Sequence, residues 1–105
     1  MNGKQKKDKA NRAPEFPALR EFVSGYLHQD FADEYGSATE AAKAFCQDAS
    51  EHEIAAVRKE WNAWRESLKP LPFEEIAMAL RKLGGAWRPE TTQDLDSVEL
   101  ALKAG

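Results

Sequence analysis

The sequence predicts an all-α fold: a compact bundle of about five helices behind a disordered basic N-terminal tail. Three observations carry that reading. Apolar residues recur three and four apart along successive stretches of the chain, the repeat that places them on one face of a helix. No stretch alternates apolar and polar residues with period two, so no strand is expected. Serine and threonine caps, prolines and a glycine pair stand where such helices would begin and end. A chain of 105 residues supports one domain with one modest core. The expected boundaries are a flexible tail over 1–14 and a single helical domain over 15–105.

The elements follow in order. Pro14 and Pro17 close the tail, and Pro17 suits the first turn of a helix, where its missing N–H is not needed. Leu19, Phe22, Val23, Tyr26 and Leu27 then line one helical face, which is expected to end near Gln29 or Phe31. Asp30 to Gly36 is read as a joint. Ser37 with Glu40 reads as a capping box, opening a helix whose stripe is Ala38, Ala41, Ala42, Phe45, Cys46 and Ala49. Many of these are small, so close packing against a neighbour is expected. Ser50 with Glu53 repeats the cap. The third helix carries Ile54, Val57, Trp61, Trp64 and Leu68 on one seam, with Arg58, Lys59, Glu60, Arg65 and Glu66 on the other side. Pro70 and Pro72 mark a link. A fourth helix carries Phe73, Ile76, Ala77, Leu80 and Leu83, with Glu74 and Glu75 in its first turn and Arg81 and Lys82 in its last, as the helix dipole favours. Gly84-Gly85 supplies a left-handed stop. Ala86 to Glu90 is a loop. Thr91 or Thr92 caps a last helix carrying Leu95, Val98 and Leu102, a thin stripe whose end is expected to fray.

Charge is unevenly divided. Residues 1–14 hold Lys4, Lys6, Lys7, Lys9 and Arg12 against Asp8, a net of +4. The remaining ten basic and 17 acidic residues leave the body at −7, which the whole-chain value of −3 conceals. An acidic body repels nucleic acid and attracts a basic protein.

Most chemistries are excluded. No apolar run approaches the ~18 residues needed to cross a bilayer, and the polar N-terminus has no apolar segment of a secretory signal behind it. Cys46 is the lone cysteine, so no internal disulfide or cysteine metal cluster is available, which fits a reducing cytoplasm. His52-Glu53 begins like a zinc-protease helix motif, but Ala56 stands where the second histidine is required. His28, His52 and Cys46 lack the paired spacing of metal ligands. No glycine-rich phosphate loop is present, and neither Ser24 nor Ser37 sits in a glycine elbow. The expectation is no enzyme, no cofactor and no metal.

Two surfaces are candidates for binding a partner. The first is the joint, where Asp30, Asp33 and Glu34 accompany Phe31 and Tyr35: aromatic anchors ringed by charge suit an interface with a basic protein. Its structural alternative is that Phe31 and Tyr35 staple two helices while the acids cap. The second is Glu90, Asp94, Asp96 and Glu99 with Trp87, which either covers the open end of the bundle or meets a partner. Trp61 and Trp64 could anchor a partner, but their seam positions favour the core for at least one of them.

Phe16-Pro17, Leu19-Arg20 and Phe22, followed by Tyr26-Leu27-His28-Gln29-Asp30-Phe31, Tyr35-Gly36-Ser37 and Glu40-Ala41, resemble the front of the small helical CdiI-type immunity proteins of bacterial contact-dependent growth inhibition. The resemblance spans residues 16–70 and, more loosely, 71–90, where Leu83-Gly84, an aromatic and Pro89 follow the family's later segment. Beyond Glu90 the last helix is thinner than the family's. The resemblance implies a cytoplasmic, non-enzymatic protein whose partner is the C-terminal toxin domain of a large surface effector, often a nuclease and here expected to be a tRNase, bound 1:1 by a monomer. The alternatives are a helical scaffold pairing through a Trp61/Trp64 stripe with another protein or with a second copy of itself, and a nucleic-acid binder acting through the tail.

Overall fold

The computed structural model describes residues 16–104, which form six helices and no strand. The tail expected over 1–14 lies outside the described residues. The helices are α1 (Pro17–Tyr26), α2 (Phe31–Tyr35), α3 (Ala38–Asp48), α4 (Glu51–Ser67), α5 (Phe73–Lys82) and α6 (Thr92–Ala104). The helix beyond the expected five is α2, the joint itself, which closes into a single turn. A run of three acids and two aromatics has no helical face long enough to announce that turn in advance.

Around the bundle the order is α1, α4, α6, α3, with each helix packed on the next and α3 closing back on α1. The enclosed core holds Leu19, Phe22 and Val23 of α1, Ala41, Ala42 and Phe45 of α3, Ile54, Val57, Trp61 and Trp64 of α4, and Leu95, Val98 and Leu102 of α6. Leu80 and Leu83 bring in α5, while Met78 of that helix stays 54% exposed. The two indoles, 1% and 3% exposed, lie tilted with ring centroids 5.4 Å apart. They fill the core and do not form the exposed stripe that a scaffold would need.

Each helix end has a physical cause. Pro17 opens α1, but Phe16 before it is left-handed and offers no side-chain cap. The Leu19 N–H in that first turn is instead accepted by Glu60 Oε1 of α4 at 2.9 Å. Glu60, expected on the outer side of α4, thus satisfies one of the orphan donors that every helix start leaves. α1 stops at Tyr26, short of the expected Gln29 or Phe31. There the Ala86 N–H, in the loop after α5, donates to the Leu27 carbonyl at 2.8 Å, engaging the acceptor that a further helical turn would use. Gly84 makes the left-handed stop at φ 104°. Gly85 does something else, passing so close to α1 that a Cβ would fall 2.4 Å from Val23 Cγ1.

Ser50 and Glu53 form the full reciprocal box, at 2.9 and 3.1 Å. Ser37 forms half of one: its hydroxyl accepts from the Glu40 N–H at 3.1 Å, while the Glu40 carboxylate turns to Lys43 instead. At the start of α6, Asp94 Oδ2 accepts from the N–H groups of Glu90 and Thr91 at 2.7 and 3.2 Å.

The small stripe of α3 packs closely on α6, as its alanines allow. α6 is better held than its thin stripe suggested. Arg58 Nε donates to the Leu102 carbonyl at 2.6 Å and its Nη2 to that of Lys103 at 3.1 Å, capping the last turn from α4. Arg58 therefore serves α6, as does Arg65, whose guanidinium pairs with Asp96 and Glu99 of that helix.

Candidate functional site

The joint is organised by His28. Its Nδ1 accepts from the Asp30 N–H at 3.0 Å, so Nε2 carries the ring proton and faces Glu34 Oε1 at 3.2 Å. This turn-lock aims α2. Its aromatics point inward: the Tyr35 ring stacks on Tyr26 at 5.7 Å, and Phe31 is half-buried against the core. Its acids point outward. Asp30 supplies the backbone carbonyl that the Asp33 and Glu34 N–H groups share at 3.1 Å, while its exposed carboxylate and that of Asp33 have no partner among the described residues. Of the five residues named for this surface, Asp30 and Asp33 are free to meet a partner, Glu34 is tied to His28, and Phe31 and Tyr35 hold the turn.

The second acidic group is spent largely within the chain. Asp94 caps α6. Asp96 and Glu99 hold the two ends of the Arg65 guanidinium at 3.1 and 3.2 Å. Glu99 also accepts from the Trp61 indole at 2.9 Å and pairs with Lys103 at 3.2 Å. Partial burial pushes the Glu99 carboxyl up, but the indole, Lys103 and Arg65 outweigh it and hold it below the ordinary carboxylate range. Trp87 is half-buried, and with Arg88, Glu90, Asp94 and Ser97 it faces Ser37–Thr39 across a shallow cleft of about 270 Å³. That cleft sets the first turn of α3, which follows the joint, beside the Trp87 loop.

A third feature escaped sequence reasoning. α1 crosses the corner where α3 gives way to α4, leaving a groove of about 350 Å³. Ala18, Ala49 and Ala56 make the room; Phe22, Tyr26 and Phe45 lie at its base; Glu21, Asp48, His52 and Glu53 line its rim. The rings pack edge and face, Phe22 to Phe45 at 5.0 Å and Tyr26 to Phe45 at 5.4 Å. The Tyr26 hydroxyl donates to Asp48 Oδ2 at 3.1 Å. Burial first, and then the Asp48 hydrogen bond and charge, push the Tyr26 phenol up. Nothing in the sequence links these residues, because they converge only through the packing of three helices. Among the described residues, no three His, Cys, Asp or Glu side chains group in a way that could hold a metal ion.

A family model described as CdiI immunity protein matches residues 15–97. The chain belongs to the CdiI immunity protein family. The match covers the joint, the groove and all but the last turns of α6. No curated protein and no solved structure matches the chain. A CdiI immunity protein neutralises a cognate toxin protein by binding it, a role that is generally non-enzymatic. The surfaces above are therefore to be weighed as protein-binding surfaces. No helix of the described residues is long and apolar enough to cross a membrane.

Proposed function

We propose that this CdiI-family chain acts in the cytoplasm as a 1:1 inhibitor of the C-terminal toxin domain of a contact-dependent growth inhibition effector. The toxin is a nuclease, in the first instance a tRNase, and residues 15–105 are the neutralising domain. The observation that carries the reading is charge. Outside residues 1–14 the chain has 17 acids against ten bases, and Asp30 and Asp33 project from α2 without partners among the described residues. A nuclease groove must be basic to hold a phosphate backbone, so an acidic surface that steers onto it competes with substrate. Burial of Trp61 and Trp64 weighs against the scaffold alternative, whose interface would need them exposed.

The test is growth rescue. The C-terminal domain of the large protein encoded immediately upstream is expressed with and without this chain, and the pair is co-purified. Rescue with a 1:1 complex and intact tRNA supports the reading; continued killing despite good expression refutes it. Reversing Asp30, Asp33 and Glu34 to lysine is expected to slow association, most strongly at low salt. Unchanged affinity at low and high salt would remove those acids from the interface.

A further inference from the structure

The groove at the α3–α4 corner is at the lower end of the volume range of ligand pockets, about 350 Å³. Its composition is selective. No lysine or arginine lines it, and His52 is its one residue able to become cationic. Three carboxylates stand on the rim. Glu21 has no side-chain partner among the described residues. Asp48 accepts one bond from the Tyr26 hydroxyl, and Glu53 uses Oε1 on the Ser50 N–H, leaving Oε2 for another donor. At the base, Phe22 and Phe45 are buried and Tyr26 is the half-exposed ring.

An apolar, aromatic base under a one-sign rim excludes most occupants. Nucleic acid is repelled by it. A second copy of this chain brings another body at −7, so like charges oppose pairing. A neutral apolar side chain would leave the rim acids unmatched. A cation on a long apolar stem matches both parts: the stem lies along the alanine walls, and the charge sits among the acids. Arginine fits better than lysine, because its planar guanidinium offers donors to more than one carboxylate at once.

We propose that this groove receives an arginine side chain of the basic toxin domain, its guanidinium among the carboxylates of Glu21, Asp48 and Glu53 that rim it. The inference rests on the toxin reading above and assigns that partner a contact apart from the joint. The groove acts as a fixed receptor for one anchor residue, already open before the partner arrives, while Asp30 and Asp33 steer the approach.

The experiment is calorimetric titration of the upstream-encoded toxin domain, rendered inactive, into four forms of the full chain at fixed ionic strength. The unaltered chain establishes the complex. Ala56→Leu fills the groove without changing charge, on a helix that accepts leucine readily. Glu21→Lys reverses an exposed, unpartnered rim acid. Glu74→Lys makes the same charge change in the first turn of α5, outside the groove lining. Helical circular dichroism confirms that each form is folded. Ala56→Leu and Glu21→Lys are each expected to weaken binding about tenfold or more, with Glu74→Lys within about twofold of the unaltered chain. Undiminished affinity in folded Ala56→Leu overturns the groove assignment while leaving the toxin reading intact. Equal losses in Glu21→Lys and Glu74→Lys, with none in Ala56→Leu, also overturn it, since only long-range charge would be at work. No binding by the unaltered chain overturns the toxin reading and the assignment together.

Discussion

Trp61 and Arg65, one turn apart on α4, donate to the same oxygen of Glu99, at 2.9 and 3.2 Å. A single carboxylate on α6 thereby satisfies a buried indole and orients a guanidinium, fixing α6 against α4. Glu99→Ala leaves the indole N–H without its acceptor, and a loss of about 1–3 kcal/mol is expected. Glu99→Gln keeps an acceptor and should lose less. Urea unfolding of the two variants beside the parent checks the order.

The same carboxylate makes stability sensitive to acid. Its folded-state pKa lies below the ordinary value, so its contribution is complete above the unfolded pKa and is lost as pH falls through the folded one. Unfolding midpoints should fall on acidification more steeply for the parent than for Glu99→Gln. Parallel curves would show that the hub does not titrate with folding.

Tyr26 works in the opposite range. Its phenol is pushed above 10 by burial and by Asp48, so the neutral form is the one the fold favours. That contribution is present below the unfolded tyrosine pKa and disappears as pH rises through the folded one. Ultraviolet titration of tyrosinate should show a late-ionising group that is absent in Tyr26→Phe and shifted to lower pH in Asp48→Asn.

Gly25 on α1 and Gly85 in the loop packed against it should respond with opposite signs. Gly85→Ala drives a Cβ into stiff Val23 and within 3.3 Å of the Leu27 carbonyl, and is expected to cost about 1–3 kcal/mol. Gly25→Ala meets nothing within 4 Å on the helical backbone of α1 and should stabilise by about 0.5–1 kcal/mol. Thermal melts of the pair give the signs directly.

Arg58→Met removes both donors from the last carbonyls of α6 while keeping an apolar stem. Amide exchange should quicken in the final turn of α6, with about 1–2 kcal/mol lost from global stability. Exchange unchanged in that turn would mean its packing on α3 is sufficient.

Much of the architecture was legible because it is local. The seam through Ile54, Val57, Trp61 and Trp64, the boxed cap at Ser50 and the small stripe of α3 depend on spacing that a sequence displays. What was not legible is reciprocal service between distant helices. Glu60, Arg58 and Arg65 look like solvent residues when α4 is considered alone, yet each completes a neighbour's unfinished backbone or side chain. The joint was visible as a cluster of acids and aromatics, but not the His28 lock that divides them into inner and outer sets. The groove was invisible for a related reason: its vacancy comes from three alanines on three separate segments, and an alanine does not reveal what it leaves empty.

The reach of α6 beyond the family match has a practical consequence. The matched region ends at Ser97, yet Val98, Ala101 and Leu102 are core residues and the Arg58 acceptors lie at Leu102 and Lys103. A shortened version trimmed to the region of family likeness would open one wall of the bundle and strip Trp61 of its acceptor. Domain edges drawn from kinship and those drawn from packing thus differ here by about two helical turns, and anyone grafting or minimising this immunity domain should follow the second.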